Sequence, residues 1–376
     1  MKPLRVLHVV GGMNRAGIET WLMHVTRGLD RREVAFDFLL HDPRETAYEP
    51  ELRDLGCGIL RVSESKHSLF YQAALARCFE SGRWDIVHSH EHHTTGTILR
   101  AAARSGVPVR IAHSHNDTAR ADQRAGVPRR LFNHVNRRWL ERHADAGFAA
   151  SPAAAAALFG QRWQDDARWR VLFCGIDLSP FAARVEHAEL RQRLGIPKGA
   201  RVIGHVGRFE EQKNHTFLIE IARDLVARDP NSHFLLVGEG RLQPAVRART
   251  DRAGLSRYFT FAGSRPDVPE LMLGAMDAFL FPSLYEGLGI AAIEAQAAGL
   301  PCIVSSVVPR EADVLPGAIA RLELRRAPGE WAGAVIAALS QPRFDASLRL
   351  AALEASPFSI GRSAGALLDR YETLVQ

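Results

Sequence analysis

Two glutamates eight positions apart, Glu286 and Glu294, flank a loop that carries Gly287, Leu288, Gly289 and Ile290. Carboxylates accept strong charge-assisted hydrogen bonds from sugar hydroxyls, so two spaced carboxylates can grip two different sugar rings. Gly287 and Gly289 have no Cβ, which opens the backbone N–H groups to close approach by a ligand. A helix opening near Gly289 adds partial positive charge where a phosphate or a developing oxyanion would rest. An isolated Glu-Gly is usually a solvated loop; here a buried strand precedes it and a helix follows. A second group, Gly207-Arg208…Lys213, follows the first strand of the second half. Arg208 offers a rigid fork to phosphate oxygens and Lys213 a mobile point charge. Together they can neutralise a departing nucleoside diphosphate without a metal.

The first half carries two further groups. Gly12, Asn14, Arg15 and Gly17 lie in a glycine loop directly after the first strand, and this loop lacks the G-x-G-x-x-G fingerprint of nicotinamide binding. Histidines crowd the same half: His88, His90, His92 and His93, then His113 and His115 with Asn116. Strand alternation places His113 and His115 on one face at a strand end. A neutral imidazole there can donate to a sugar or position an acceptor hydroxyl; a capping or core histidine is the plainer reading. A metal reading needs three convergent ligands, and no Asp-x-Asp accompanies these residues, so no metal is assigned.

Two α/β domains must position these groups. Short apolar runs at 4–10, 34–40, 58–62, 85–89, 107–113, 146–150 and 170–173 alternate with amphipathic stretches such as 19–29 and 67–80. The pattern restarts with strands at 201–206, 233–237, 258–262, 278–281, 301–305 and 318–322, and helices near 214–228, 241–254, 289–299 and 330–340. Near-continuous apolar strands between helices predict parallel, doubly wound sheets covered on both faces. The expected domains are 1–172 and 173–356, with a turn-rich linker at 173–180 and the ligand cleft between them. A last amphipathic helix at 360–375 follows; periodicity does not fix its place, and packing back on the first domain is one option.

The chain has 376 residues, 46% apolar and 24% charged, and no apolar run long enough to span a membrane. The start of the chain reads as a core strand and not as a leader. Four scattered cysteines fit reduced thiols in a cytoplasmic protein. Residues 1–172 hold 25 Lys/Arg against 19 Asp/Glu, so the whole net charge of +6 lies in that half. Seven arginines between 120 and 142 alternate with Leu131, Phe132, Val135, Trp139 and Leu140 at helical spacing. That segment reads either as a helix lying on anionic lipid, or as a core-facing apolar stripe with solvated arginines. No nucleic-acid recognition motif accompanies the basic charge.

These blocks resemble the retaining GT-B superfamily of glycogen-synthase-like and mannosyltransferase-like enzymes, glycosyltransferase family four. The family's G-R-x(4)-K element matches Gly207-Arg208…Lys213, and its E-x(7)-E element matches Glu286…Glu294. Its V-G-x-G turn matches Val237-Gly238-Glu239-Gly240, and a further segment matches Phe261 through Val268. The 10–20 loop is similar to that of exopolysaccharide-type members, with Ala16 in place of one usual glycine.

The resemblance implies that Arg208 and Lys213 bind the donor diphosphate, with Gly207 and Gly17 close to it. It places Glu294 on the ribose, Glu286 and the Gly287–Ile290 amides on the transferred sugar, and Gly238, Arg265 and Val268 on the nucleotide side. His115 fits the family's histidine at the acceptor, with His113 and Asn116 beside it and Gly12, Asn14 and Arg15 on the same side. It implies metal-independent, retaining transfer of a hexose or N-acetylhexosamine from a UDP- or GDP-sugar. The acceptor is a glycan or lipid-linked molecule of bacterial cell-surface polysaccharide synthesis, with no cofactor, at the inner face of the plasma membrane. A GT-B-like sugar-nucleotide epimerase and a non-catalytic nucleotide-sugar-binding subunit are the alternatives. The second of these predicts loss of Arg208, Lys213, Glu286 or Glu294, and all four are intact.

Overall fold

The computed structural model describes residues 2–66, 68–119, 122 and 125–376, with Leu69 described by its backbone only. The chain divides into two compact units. The first takes the chain up to Gly175 together with Ile360–Gln376; the second is Ile176–Ser359.

The first unit is a seven-stranded parallel sheet in the order β3-β2-β1-β4-β5-β6-β7. Its strands are β1 (Leu4–Val10), β2 (Val34–Leu40), β3 (Ile59–Arg61), β4 (Ile86–Ser89), β5 (Val109–Ser114), β6 (Ala146–Ala149) and β7 (Trp169–Val171). β4, β5 and β6 are almost wholly buried, which parallel strands require because helices cover both faces. One face packs Leu7, Val9, Val87 and Ala112 against Leu75, Ile98, Leu99 and Leu140. The other is lined by the helix Gly17–Gly28 and by the chain's last helix, Ile360–Val375, joined where Trp21 Nε1 donates to Ser363 Oγ at 2.9 Å.

The second unit is a six-stranded parallel sheet, β10-β9-β8-β11-β12-β13. Its strands are β8 (Arg201–Val206), β9 (Ser232–Val237), β10 (Phe259–Gly263), β11 (Ala278–Phe281), β12 (Cys302–Ser305) and β13 (Ile319–Leu322). Its core gathers Leu218, Ile221, Leu225, Phe234, Leu236, Leu280 and the fully buried Trp331. In both sheets the first strand lies between the second and the fourth, so the direction of winding reverses beside it. Crevices at the carboxyl ends of strands form at such a reversal.

The basic segment forms the helix Val127–His143; Arg120 and Arg124 lie outside the described residues. Leu140 is buried, Phe132, Val135 and Trp139 are half-buried, and the Arg100 guanidinium lies 4.4 Å from the Trp139 ring centre. Leu131, grouped with that stripe by spacing, instead faces outward at 63% exposure, as does Val127 at 76%. This helix crosses the helix Thr95–Arg104 at Gly96, where Asn136 Oδ1 accepts from Thr97 N and Oγ1, both at 2.8 Å. A Cβ on Gly96 would overlap the Asn136 backbone oxygen. Gly96→Ala is therefore expected to push the two helices apart and destabilise the first unit by about 1–3 kcal/mol. A thermal unfolding midpoint unchanged from wild type would refute that packing constraint.

Candidate functional site

In the second unit the loops after β8 and β11 are locked together at the winding reversal. Leu284 N donates to Gln212 O at 2.8 Å, and Asn214 Nδ2 donates to Pro282 O at 3.1 Å. Lys213 Nζ donates to Glu286 Oε1 at 2.6 Å, and Gln212 Nε2 reaches Glu286 Oε2 at 3.1 Å and Tyr285 O at 3.0 Å. The ammonium also lies 4.4 Å from the centre of the Phe281 ring, a cation–π contact. Both members of the pair are largely withdrawn from water, with side chains 15% and 6% exposed. Arg208, by contrast, is exposed and has no ion-pair partner among the described residues.

The β9 turn joins the same edge. Gly207 N donates to Val237 O, and Phe209 N donates to Glu239 O, each at 2.9 Å. Gly207, Lys213, Gly238 and Glu286 are thus brought together, while Arg265 and Val268 stand after β10 at the sheet's outer edge. The Arg265 Nε donates to Asp267 Oδ1 at 2.7 Å, and Val268 opens the helix Val268–Gly274. Beyond Gly287 and the buried Leu288, Gly289 adopts φ 87°, a left-handed conformation that side chains resist, and precedes the helix Ile290–Ala297. Glu294 lies one turn into that helix, half-buried, with no hydrogen-bond partner for its carboxyl group among the described residues. Desolvation alone pushes its pKa up to about 7.

Gln212 and Asn214 were not singled out by the sequence. Gln212 stands in the variable part of the G-R-x(4)-K spacing and gives no signal. Asn214 takes a left-handed conformation (φ 54°) just before the helix His215–Arg228, a role asparagine tolerates; its place at a helix start was the available clue.

In the first unit the loop after β1 is held by the segment after β2. Met13 N donates to Thr46 Oγ1 at 3.1 Å, and a Cβ on Gly12 would sit 3.1 Å from Thr46 Cγ2. Asn14 and Arg15 are exposed, the latter 5.7 Å from the Tyr48 ring centre, and Gly17 is the first residue of its helix. His113 and His115 do share a face, their rings stacked at 3.9 Å. They belong to a buried set with His8, His88 and His90. His115 Nε2 faces His90 Nδ1 at 2.8 Å, and its Nδ1 faces Cys174 Sγ at 3.8 Å, so both ring nitrogens of His115 are engaged inside the fold. Asn116 beside it is half-exposed. Desolvation, with neighbouring imidazoles adding to it, holds the pKa values of His88, His90, His113 and His115 well below the usual histidine range, and they are neutral near pH 7.

The fold and the paired loops define an α/β protein of the GT-B type, with two Rossmann-like parallel sheets. The family profile described as Glycosyl transferases group 1 matches residues 186–352, and that of Glycosyltransferase Family 4 matches residues 15–180. The protein named glycosyltransferase EpsF in Bacillus subtilis strain 168 is 35% identical over 371 residues, covering 98% of this chain and 96% of the relative. The chain belongs to the group 1 glycosyltransferases. The UDP-Gal:alpha-D-GlcNAc-diphosphoundecaprenol alpha-1,3-galactosyltransferase of Escherichia coli is 31% identical over 248 residues, 62% of this chain and 61% of that protein. Among solved structures, Anabaena HepE in complex with UDP and glucose superposes with a TM-score of 0.78 at 18% identity, covering 98% of this chain and all of that one. Among the described residues no helix is long and apolar enough to cross a membrane.

The raised pKa of Glu294 has a readable consequence. The fold favours the protonated carboxyl group, so that contribution to stability is complete below the ordinary glutamate pKa of 4.5 and is lost as pH rises through about 7. Glu294→Gln removes the titration. The variant's melting temperature is expected to gain on wild type as pH rises across this window and to hold that gain above it. A difference independent of pH would show that the carboxyl group is well solvated.

Proposed function

We propose that this glycosyltransferase moves a hexose or N-acetylhexosamine from a UDP-sugar, or its GDP counterpart, to a glycan or lipid-linked acceptor of cell-surface polysaccharide. The observation that carries this reading is the Lys213–Glu286 contact at the β8/β11 reversal, with Arg208 unpaired on the same loop. In this reading Arg208 and Lys213 neutralise the leaving diphosphate, with Gly207 near its oxygens. Glu286 and the amides of Gly287, Leu288, Gly289 and Ile290 hold the transferred sugar, and Glu294 binds the ribose. Gly238, Arg265 and Val268 face the nucleotide. Gly12, Asn14, Arg15 and Asn116 serve the acceptor; His113 and His115, buried in the fold, support them from within without touching it.

Transfer proceeds with retention by same-face displacement. The bond between the anomeric carbon and the phosphate oxygen breaks, and its electron pair stays on the diphosphate. The acceptor oxygen bonds to that carbon from the same face, and its proton passes to the leaving phosphate. Preorganised cations aimed at the charge that develops on the leaving group supply the stabilisation, with no metal at the diphosphate. The UDP preference follows the names of the relatives, since HepE was solved with UDP and glucose and the Escherichia coli relative uses UDP-Gal. That relative also acts on a diphosphoundecaprenol-linked sugar, which favours a lipid-linked acceptor here. The outward Val127 and Leu131 among Arg129, Arg130 and Arg138 suit a peripheral contact with anionic lipid on the cytoplasmic side.

A thermal-shift panel of UDP-, GDP- and ADP-sugars tests the donor half. One nucleotide class is expected to stabilise the wild type, and Lys213→Ala and Glu294→Ala should each lose most of that shift. Stabilisation by no nucleotide, or an undiminished shift in both variants, would sink the donor assignment. Turnover of donor without any acceptor would replace transfer with epimerisation.

A further inference from the structure

We propose that His90, His113 and His115 form a binding site for a borderline divalent transition cation, zinc in the first instance, within the first unit. One ring nitrogen from each of the three residues lies within 4.8 Å of the others. His90 Nδ1 and His115 Nε2 already face each other at 2.8 Å, and His113 Nε2 is fully buried with no hydrogen-bond partner among the described residues. Leaving a buried nitrogen without a partner is costly, and a cation bound there removes that cost.

The outward-facing nitrogens are all provided for. His90 Nε2 faces His8 Nδ1 at 3.0 Å, His113 Nδ1 faces His88 Nε2 at 3.2 Å, and His115 Nδ1 faces Cys174 Sγ at 3.8 Å. His88 is anchored in turn by the Tyr371 hydroxyl at 2.6 Å. Each ligand thus has an outer partner that can fix its tautomer, the arrangement typical of metal-bound histidines. Binding requires no net loss of protons. The proton now shared between His90 and His115 moves, by tautomerisation of His115, to the nitrogen facing Cys174. His113 carries its proton on Nδ1 toward His88 Nε2, and His88 carries its own on Nδ1 toward the Tyr371 oxygen, so all three inner nitrogens present lone pairs. Tetrahedral zinc wants ligand nitrogens about 3.4 Å apart, so the His90–His115 pair opens slightly as His113 draws in. Three imidazoles without a carboxylate select zinc, cobalt or nickel over magnesium or calcium. His90, half-exposed, gives the cation its way in and leaves a fourth position for water.

The test uses the full chain stripped with a chelator, then titrated with zinc and, separately, with cobalt. One equivalent of zinc per chain is expected, and cobalt should give the visible bands of a tetrahedral nitrogen site. Trp21 lies 5.5 Å from the His113 ring and 6.2 Å from that of His115, so cobalt should quench the part of the emission that Trp21→Phe removes. His115→Gln should weaken zinc binding on the order of 100-fold and Cys174→Ser on the order of 10-fold. His92→Gln, which disrupts the neighbouring His92–His93–Asp122 group, should leave it intact. Absence of saturable uptake by the folded wild type overturns the site without recourse to any variant. Uptake that survives His115→Gln, or that His92→Gln abolishes, overturns it equally by placing the metal elsewhere.

Discussion

An ammonium and a carboxylate withdrawn from water each carry a desolvation penalty of several kcal/mol, and only close pairing with full hydrogen bonding offsets it. Lys213 and Glu286 pair at 2.6 Å, and the carboxylate is completed by Gln212 on its second oxygen while the Phe281 ring lies beneath the ammonium. The consequence is mechanical. The loop after β8 and the loop after β11 cannot shift independently without leaving a charge unpaired, so the backbone N–H groups that begin the helix Ile290–Ala297 are held in register with the Gly207 turn. Lys213 becomes the fixed cation of the site, with two donors left over. Arg208, exposed and unpaired among the described residues, is the adjustable one.

The first unit meets the same topological demand with different chemistry. Its winding reversal lies between β1 and β4, where His8 and His88 are directly opposite in register. No buried ion pair is needed there, because desolvation keeps an imidazole neutral near pH 7. Five stacked or tilted rings can therefore occupy a region where carboxylates would each demand a cation. A hydrogen-bonded imidazole also keeps a second nitrogen available, so a chain of them passes directional order from Tyr371 and Cys174 toward the strand ends. The cluster is largely buried, open only at His90, yet it retains lone pairs.

What could be read in the chain beforehand follows from the range of each interaction. Strand and helix positions were legible because alternation and apolar runs are local. Gly207, Lys213, Glu286 and Glu294 were legible because strand, loop and helix follow one another without a break. The bond between Lys213 and Glu286 was not, since it spans 73 positions and depends on β11 lying beside β8. Alternation put His113 and His115 on one face, yet nothing in the spacing showed that His90 would engage the same nitrogen proposed for an acceptor. Leu131 is a subtler case. Helical spacing assigned it to the apolar stripe, but the helix Val127–His143 is rotated so that Asn136 reaches Thr97, and that rotation turns Leu131 outward.

The last helix shows the strongest separation between sequence order and structure. Its periodicity announced an amphipathic helix and gave no partner. Its partners are Trp21, 342 positions from Ser363, and His88, 283 positions from Tyr371. Ser363 Oγ also donates to Phe173 O at 2.7 Å and accepts from Gly175 N at 3.0 Å, so one hydroxyl joins the end of the first unit's main segment to its returning helix. Tyr371 is fully buried, and burial drives its phenol pKa well above the ordinary value, which keeps the hydroxyl protonated beside His88 Nδ1. The face of the sheet that carries the imidazoles is therefore closed by residues translated after the entire second unit. Until they arrive, His88 lacks its anchor and solvent can reach rings whose neutrality depends on exclusion of water. The order of the histidine cluster is thus a property of the complete chain, although every histidine in it lies within the first 115 residues.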